Sequence, residues 1–123
     1  MRDLIILGGG PAGYAAALRA KDRGLDVLLV EEDRLGGTCL NRGCIPTKAL
    51  VKNAEVLRTV KNLKSYGISV DGYELDYKVV KERKDNITEQ LVAGIESMFE
   101  KKKIPVISGR GEFVSPHKVK VGD

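Results

Sequence analysis

The stretch LIILGGGPAG, residues 4–13, passes directly from a strand pattern to a helix start. Leu4, Ile5, Ile6 and Leu7 form an unbroken apolar run, the pattern of a short strand buried on both faces of a parallel sheet. Three glycines follow, then Pro11, which suits a first helical turn because its missing N–H has no intrahelical partner there. An alanine-rich stretch runs on to Lys21, and Gly24 suits a helix stop. Val27 to Val30 repeat the buried-strand pattern, with Glu31 at the end. Strand, helix and strand with short connections make a βαβ unit. The fold class is therefore α/β, a parallel sheet with flanking helices.

Gly8, Gly10 and Gly13 satisfy the spacing G-x-G-x-x-G. The first glycine permits the tight turn, the second lets a pyrophosphate approach the backbone, and the third lets the helix pack close to the sheet. N–H groups at the helix start and the helix dipole both favour a phosphate there. Glu31 lies about 20 residues further on, where a carboxylate accepts hydrogen bonds from a ribose diol. The motif is weak alone. Here a strand precedes it, a helix follows it and an acid ends the next strand, so the segment reads as a dinucleotide-binding unit. The same fingerprint serves NAD and FAD.

The net charge of +4 is mild, and basic residues near 81–85 alternate with Glu82 and Asp85 as on a solvated helix face. No strip of aromatics lies among the lysines, which argues against a nucleic-acid surface. No apolar run reaches the roughly 20 residues of a membrane helix. Arg2 precedes a run that ends in glycines and not in a cleavage site, so the chain is read as cytoplasmic.

Residues 41–64 read as helical, with Leu50, Ala54 and Leu57 on one face. A turn-rich stretch runs through Gly67, Asp71 and Gly72. Asp76 is placed to cap a long helix from about Tyr77 to Lys103. Its expected buried stripe is Val80, Ile87, Leu91, Ile95 and Phe99. Pro105 forbids continuation. Val106 and Ile107 begin a strand, SGRG at 108–111 interrupts it, and Phe113 and Val114 resume it. His117 to Val121 alternate as a half-exposed strand, and Val121–Gly122–Asp123 reads as a hairpin turn.

The only two cysteines, Cys39 and Cys44, stand together after a glycine pair. Zinc needs about four ligands, and beyond the cysteines the chain offers only His117 and carboxylates, so no metal site is expected. A structural disulfide closing so small a loop in a reducing compartment adds little. A redox-cycling dithiol remains. Residues five apart on a regular helix are too distant for a bond whose Cα atoms sit within about 7 Å. The first turn must therefore be distorted, or Cys39 must lie outside the helix; Gly43 and Pro46 favour such a break. Lys48, one turn after Cys44, shares its face, where its ammonium can counter negative charge on a reduced cofactor.

GGGPAG at 8–13 followed by GGTCLNRGCIPTKAL at 36–50 resembles the flavin-dependent pyridine nucleotide–disulfide oxidoreductases over essentially the whole chain. The ending CIPTKAL is closer to the lipoamide-dehydrogenase branch than to glutathione reductases, which usually carry a second basic residue where this chain has Thr47. A reductase of the glutathione or mercuric type is the alternative within the family, and a non-catalytic nucleotide-binding module the alternative outside it. The resemblance implies a Rossmann-like FAD-binding domain of which residues 1–123 are the N-terminal part, with NAD-binding and C-terminal dimerisation domains outside this chain. It implies that Gly8, Gly10, Ala12 and Gly13 cradle the FAD pyrophosphate, that Glu31 holds the adenosine ribose, and that Gly37 and Thr38 contact the phosphates. Gly111 would meet the adenine through its backbone. Cys39 would be the interchange thiol and Cys44 the thiolate against the flavin, with electrons passing from dihydrolipoamide through the Cys39–Cys44 disulfide and FAD to NAD⁺. The implied partners are a lipoyl-bearing protein of a 2-oxo-acid dehydrogenase or glycine cleavage complex, and a second subunit in a homodimer. These 123 residues are expected to be inactive alone. His117 matches no acid–base pair of the family. Arg42 departs from the pattern, which has a small apolar residue there.

Overall fold

The computed structural model describes residues 1–122. Strand β1 (Leu4–Leu7), helix α1 (Pro11–Asp22) and strand β2 (Val27–Glu31) form the expected βαβ unit. The two strands are parallel, with Leu4 opposite Val27 and Leu7 opposite Val30. Helices α2 (Gly37–Asn41), α3 (Cys44–Lys61) and α4 (Tyr77–Lys102) follow, with a 3-10 turn at Leu63–Tyr66. Strand β3 (Val106–Ser108) then pairs parallel with the free edge of β2, giving the order β1-β2-β3. Strands β4 (Gly111–Ser115) and β5 (Lys118–Val121) make a separate antiparallel hairpin.

The core lies on one face of the parallel sheet. Val27 and Leu29 of β2 pack there with Ala17 of α1, Leu40 of α2 and Val92, Ile95 and Phe99 of α4. Side chains alternate across a strand, so Leu4 and Ile6 of β1 reach this core while Ile5 and Leu7 face away. Ile5 and Leu7 remain 37% and 36% exposed, so β1 is covered on one face and not on both as its apolar run suggests. All the long helices that could cover it pack into the single cluster on the other side.

Helix α4 begins where Asp76 accepts hydrogen bonds from the N–H groups of Lys78 (2.8 Å) and Val79 (3.4 Å). It ends at Lys103, whose left-handed backbone (φ 54°) turns the chain while the Ile104 N–H bonds back to Phe99 O. Its buried stripe is Val80, Thr88, Val92, Ile95 and Phe99. Leu91, expected inside, is 43% exposed. Spacing by four through Ile87, Ile95 and Phe99 places Leu91 inside. Packing instead follows the geometric stripe through Thr88, whose hydroxyl is satisfied by Lys84 O.

Helix α3 differs in two ways. It starts at Cys44, not near residue 41, because Gly43 breaks it from α2. Its buried residues are Pro46 and Ala49, while Leu50 is 36% exposed and Ala54 is exposed, so the face is rotated from the expected one. Phe113 and Val114 do not resume β3; they belong to the hairpin, whose turn lies at 116–117. The turn expected at the end of the chain extends onto Asp123, outside the described residues.

Two substitutions test this core and cap by urea unfolding. Leu29→Ala empties a fully buried site and is expected to cost about 2–5 kcal/mol. Asp76→Ala should cost only about 1 kcal/mol, with Asp76→Asn close to wild type.

Candidate functional site

The β1–α1 turn is built from backbone. Gly8 adopts φ 97°, a conformation costly for any other residue, and its N–H bonds Val30 O at 2.8 Å. A Cβ on Gly13 would overlap the Gly8 carbonyl oxygen, so only glycine lets α1 lie this close to the turn. Gly10 has an ordinary backbone (φ −69°), and a Cβ there would meet nothing nearer than Gly37 Cα at 3.9 Å. The space over Gly10 is thus open.

A second glycine turn packs onto the first. Gly36 N–H bonds Gly9 O at 2.9 Å, and Gly37, at φ 59°, lies so near Gly10 that a Cβ on it would stand 2.7 Å from Gly10 Cα. Asn41 clamps this second turn, its side-chain amide donating to Leu35 O and Gly37 O at 3.0 Å each. Glu31 braces both turns: its carboxylate accepts from the N–H groups of Gly9 (2.5 Å) and Asp33 (2.9 Å).

Between the turns and the start of the hairpin lies a cavity of about 640 Å³, within the range typical of ligand sites. Six of the residues singled out in the sequence line it: Gly8, Gly10, Glu31, Gly37, Thr38 and Gly111. Gly111 contributes by its smallness, since a Cβ there would press on Leu7 and Val30. Ala12 and Gly13 lie behind the wall, at the start of α1. Sequence reasoning missed Glu32, Asp33, Arg34, Arg42 and Arg110 in the lining. The signals for them were adjacency to Glu31 and Cys44 and, for Arg110, a place within the SGRG turn. A larger cleft of about 730 Å³ runs along the β3 edge and the end of α4, where Leu35, Phe99, Ile104, Pro105 and Val106 lie among charged side chains such as Arg2, Glu96, Glu100 and Lys103. It lacks glycine-built backbone, so size does not mark the chemistry here.

Cys39 and Cys44 follow Thr38 in sequence and lie outside the cavity lining. Cys39 sits in α2, partly buried against the core, and Cys44 is exposed at the head of α3. The break at Gly43 is the device the spacing required. Both are free thiols. The Cys39 thiol is pushed above the ordinary cysteine range, first because it donates a hydrogen bond to Cys44, then because it is partly desolvated. The Cys44 backbone N–H and the Lys48 charge pull the other way. Lys48 itself is exposed on α3 and lies outside the cavity lining. Among the described residues no group of three His, Cys, Asp or Glu side chains is placed to hold a metal, and no helix is long and apolar enough to cross a membrane.

A parallel βαβ sheet thus carries a glycine-built turn that walls a cavity, with two cysteines following that wall in sequence. The chain belongs to the pyridine nucleotide-disulphide oxidoreductase family, whose model matches residues 2–123. A dihydrolipoyl dehydrogenase of Chlamydia pneumoniae is 44% identical over 119 residues, covering 97% of this chain and 26% of that protein. One from Bacillus subtilis (strain 168) is 44% identical over 114 residues, covering 93% and 24%. Among solved structures, the HOCl-induced flavoprotein disulfide reductase RclA from Escherichia coli, as its Cu(II) complex, superposes with a TM-score of 0.76 at 29% identity. That match covers 95% of this chain and 24% of the reductase. The chain therefore spans about a quarter of the length of the curated relatives it matches.

The two kinds of glycine separate experimentally. Gly10→Ala should fold normally, by circular dichroism and urea unfolding, because its Cβ meets nothing nearer than 3.9 Å. Gly13→Ala should lose stability itself, by at least the 1–3 kcal/mol typical of overpacking. For the thiols, alkylation by iodoacetamide near pH 8, followed by peptide mass, should be faster at Cys39 in Cys44→Ala than in wild type. Removing the acceptor lowers the Cys39 pKa and raises its thiolate fraction. Lys48→Met should slow it.

Proposed function

We propose that these residues form the flavin- and disulfide-bearing part of a dihydrolipoyl dehydrogenase, the N-terminal part of its FAD domain. The observation that carries this reading is the continuity of the wall: Gly8, Gly10, Glu31, Gly37 and Thr38 line one cavity, and the next residue is Cys39. The 44% identity to dihydrolipoyl dehydrogenases supports that substrate class.

The residues fit an FAD. The open space over Gly10 admits a pyrophosphate, and the N-terminus of α1 favours its charge. Gly37 and Thr38 face the same space. Glu31 keeps lone pairs beyond those used by Gly9 and Asp33, enough for a ribose diol. Gly111 leaves room for the adenine end. When bound, the flavin supplies hydride transfer between the dithiol and a nicotinamide.

The chain's own residues perform the exchange. In the oxidised protein a dihydrolipoyl thiolate attacks the Cys39 sulfur; the Cys39–Cys44 bond breaks and Cys44 leaves as thiolate. The second substrate thiol gives up its proton to a base and attacks the substrate sulfur of the mixed disulfide. The substrate leaves as a cyclic disulfide, and Cys39 departs with its bonding electrons and takes up a proton. Two electrons thus pass to the protein pair. The unequal placement suits these roles. The Cys39 thiol is raised above its ordinary range, first by the Cys44 side chain, and Cys44 lies at a helix N-terminus where negative charge is favoured. NAD⁺ is the proposed final acceptor, a lipoyl-bearing protein of a 2-oxo-acid dehydrogenase or glycine cleavage complex the donor, and a homodimer the working form.

The test is spectroscopic. Loaded with FAD and reduced by two electrons, the chain should show a long-wavelength absorption band that Cys44→Ser abolishes and Cys39→Ser retains. A loaded, reduced chain without that band would overturn the reading. The 123 residues alone should reduce no NAD⁺ with dihydrolipoamide, and measurable specific turnover would refute that expectation.

A further inference from the structure

We propose that Arg42 is a phosphate-binding side chain of the cavity, held on Asp33 until the pyrophosphate of a dinucleotide takes its place. This rests on the reading that the cavity receives a dinucleotide.

Three arginines line the cavity: Arg34, Arg42 and Arg110. Two are committed to acids outside the lining. Arg34 forks onto both carboxylate oxygens of Glu89 on α4, at 2.7 and 2.5 Å, and Arg110 pairs with Glu112 at 3.3 Å. Arg42 is different: its partner, Asp33, is itself part of the cavity wall. The Arg42 charge is therefore retained within the wall. Its backbone N–H bonds Thr38 O at 2.9 Å, which holds Arg42 one turn beyond Thr38, the residue next in sequence to the Gly37 that packs on Gly10. That is the end where the α1 dipole and the glycine backbone already favour a phosphate.

The pair is suited to exchange. Arg42 and Asp33 are 67% and 54% exposed, and exposed ion pairs are weakly held. A guanidinium fork matches a phosphate as well as a carboxylate, and a pyrophosphate brings more charge. Because Arg34 and Arg110 are paired with acids outside the lining, Arg42 is the lining arginine left to offset Glu31, Glu32 and Asp33, and without it the wall becomes more negative toward an incoming phosphate.

Calorimetric titration of the chain with ADP and with adenosine tests this. Wild type should bind ADP more tightly than adenosine. Arg42→Val should weaken ADP about tenfold, the scale of a charge-assisted hydrogen bond, leave adenosine unchanged and flatten the salt dependence. Arg42→Lys should recover part of the loss. Asp33→Asn, which frees the guanidinium, should tighten ADP. A purely structural Arg42–Asp33 bridge predicts the opposite for Asp33→Asn: lower stability and no gain in ADP affinity. Equal ADP binding by wild type and Arg42→Val would overturn the assignment while leaving the dinucleotide reading intact. No ADP binding by folded wild type would overturn both.

Discussion

Where Gly10 meets Gly37, two turns distant in sequence lie backbone against backbone, and a single methyl group on Gly37 would force them apart. Much of the site depends on that contact. It seats the head of α2 beside the head of α1, so the segment carrying Cys39 starts from the same wall as the glycine-rich turn. Gly36 N–H to Gly9 O, the Glu31 carboxylate on Gly9 and the Asn41 amide on Leu35 and Gly37 hold the contact from three sides. One of these bonds is backbone to backbone, and the others each join a main-chain atom to the Glu31 or Asn41 side chain. A site of this kind is already organised before any ligand arrives, which lowers the cost of ordering it on binding.

The dithiol draws its asymmetry from the same arrangement. Cys39 faces the edge of the core and Cys44 faces outward at a helix head, so two chemically identical thiols meet different surroundings. The neighbouring Cys44 thiol raises the Cys39 pKa, so Cys39 is the thiol held above its ordinary range. The Gly43 break is what makes the pairing possible, because an unbroken helix would carry the two sulfurs to different faces.

Helix α4 serves the site at a distance. Its cap at Asp76 and its stripe from Val80 to Phe99 press it into the core beside α1 and α2. From that seat Glu89 grips Arg34 through both oxygens, tying the loop after β2 to the helix. The same ion pair holds Glu89 below the usual carboxylate range. The loop that carries Asp33 and Arg34 is thereby held between the β2 end, through Glu31, and the helical layer.

Much was legible in the sequence because it is local. The apolar runs, the glycine spacing, Pro11, Gly24 and the Asp76 cap report conformations fixed by near neighbours, and each appears where it was expected. The membership of the cavity wall was half legible: the glycines and Glu31 carry a spacing, whereas Asp33, Arg34, Arg42 and Arg110 carry none. What only the tertiary structure decided was which faces are covered. Ile5, Leu7, Leu50 and Leu91 are as apolar as their buried neighbours, yet they are partly exposed because the helices converge on one side of the sheet. A sequence records how strongly a residue avoids water. Whether another element arrives to exclude the water is a property of the assembled chain.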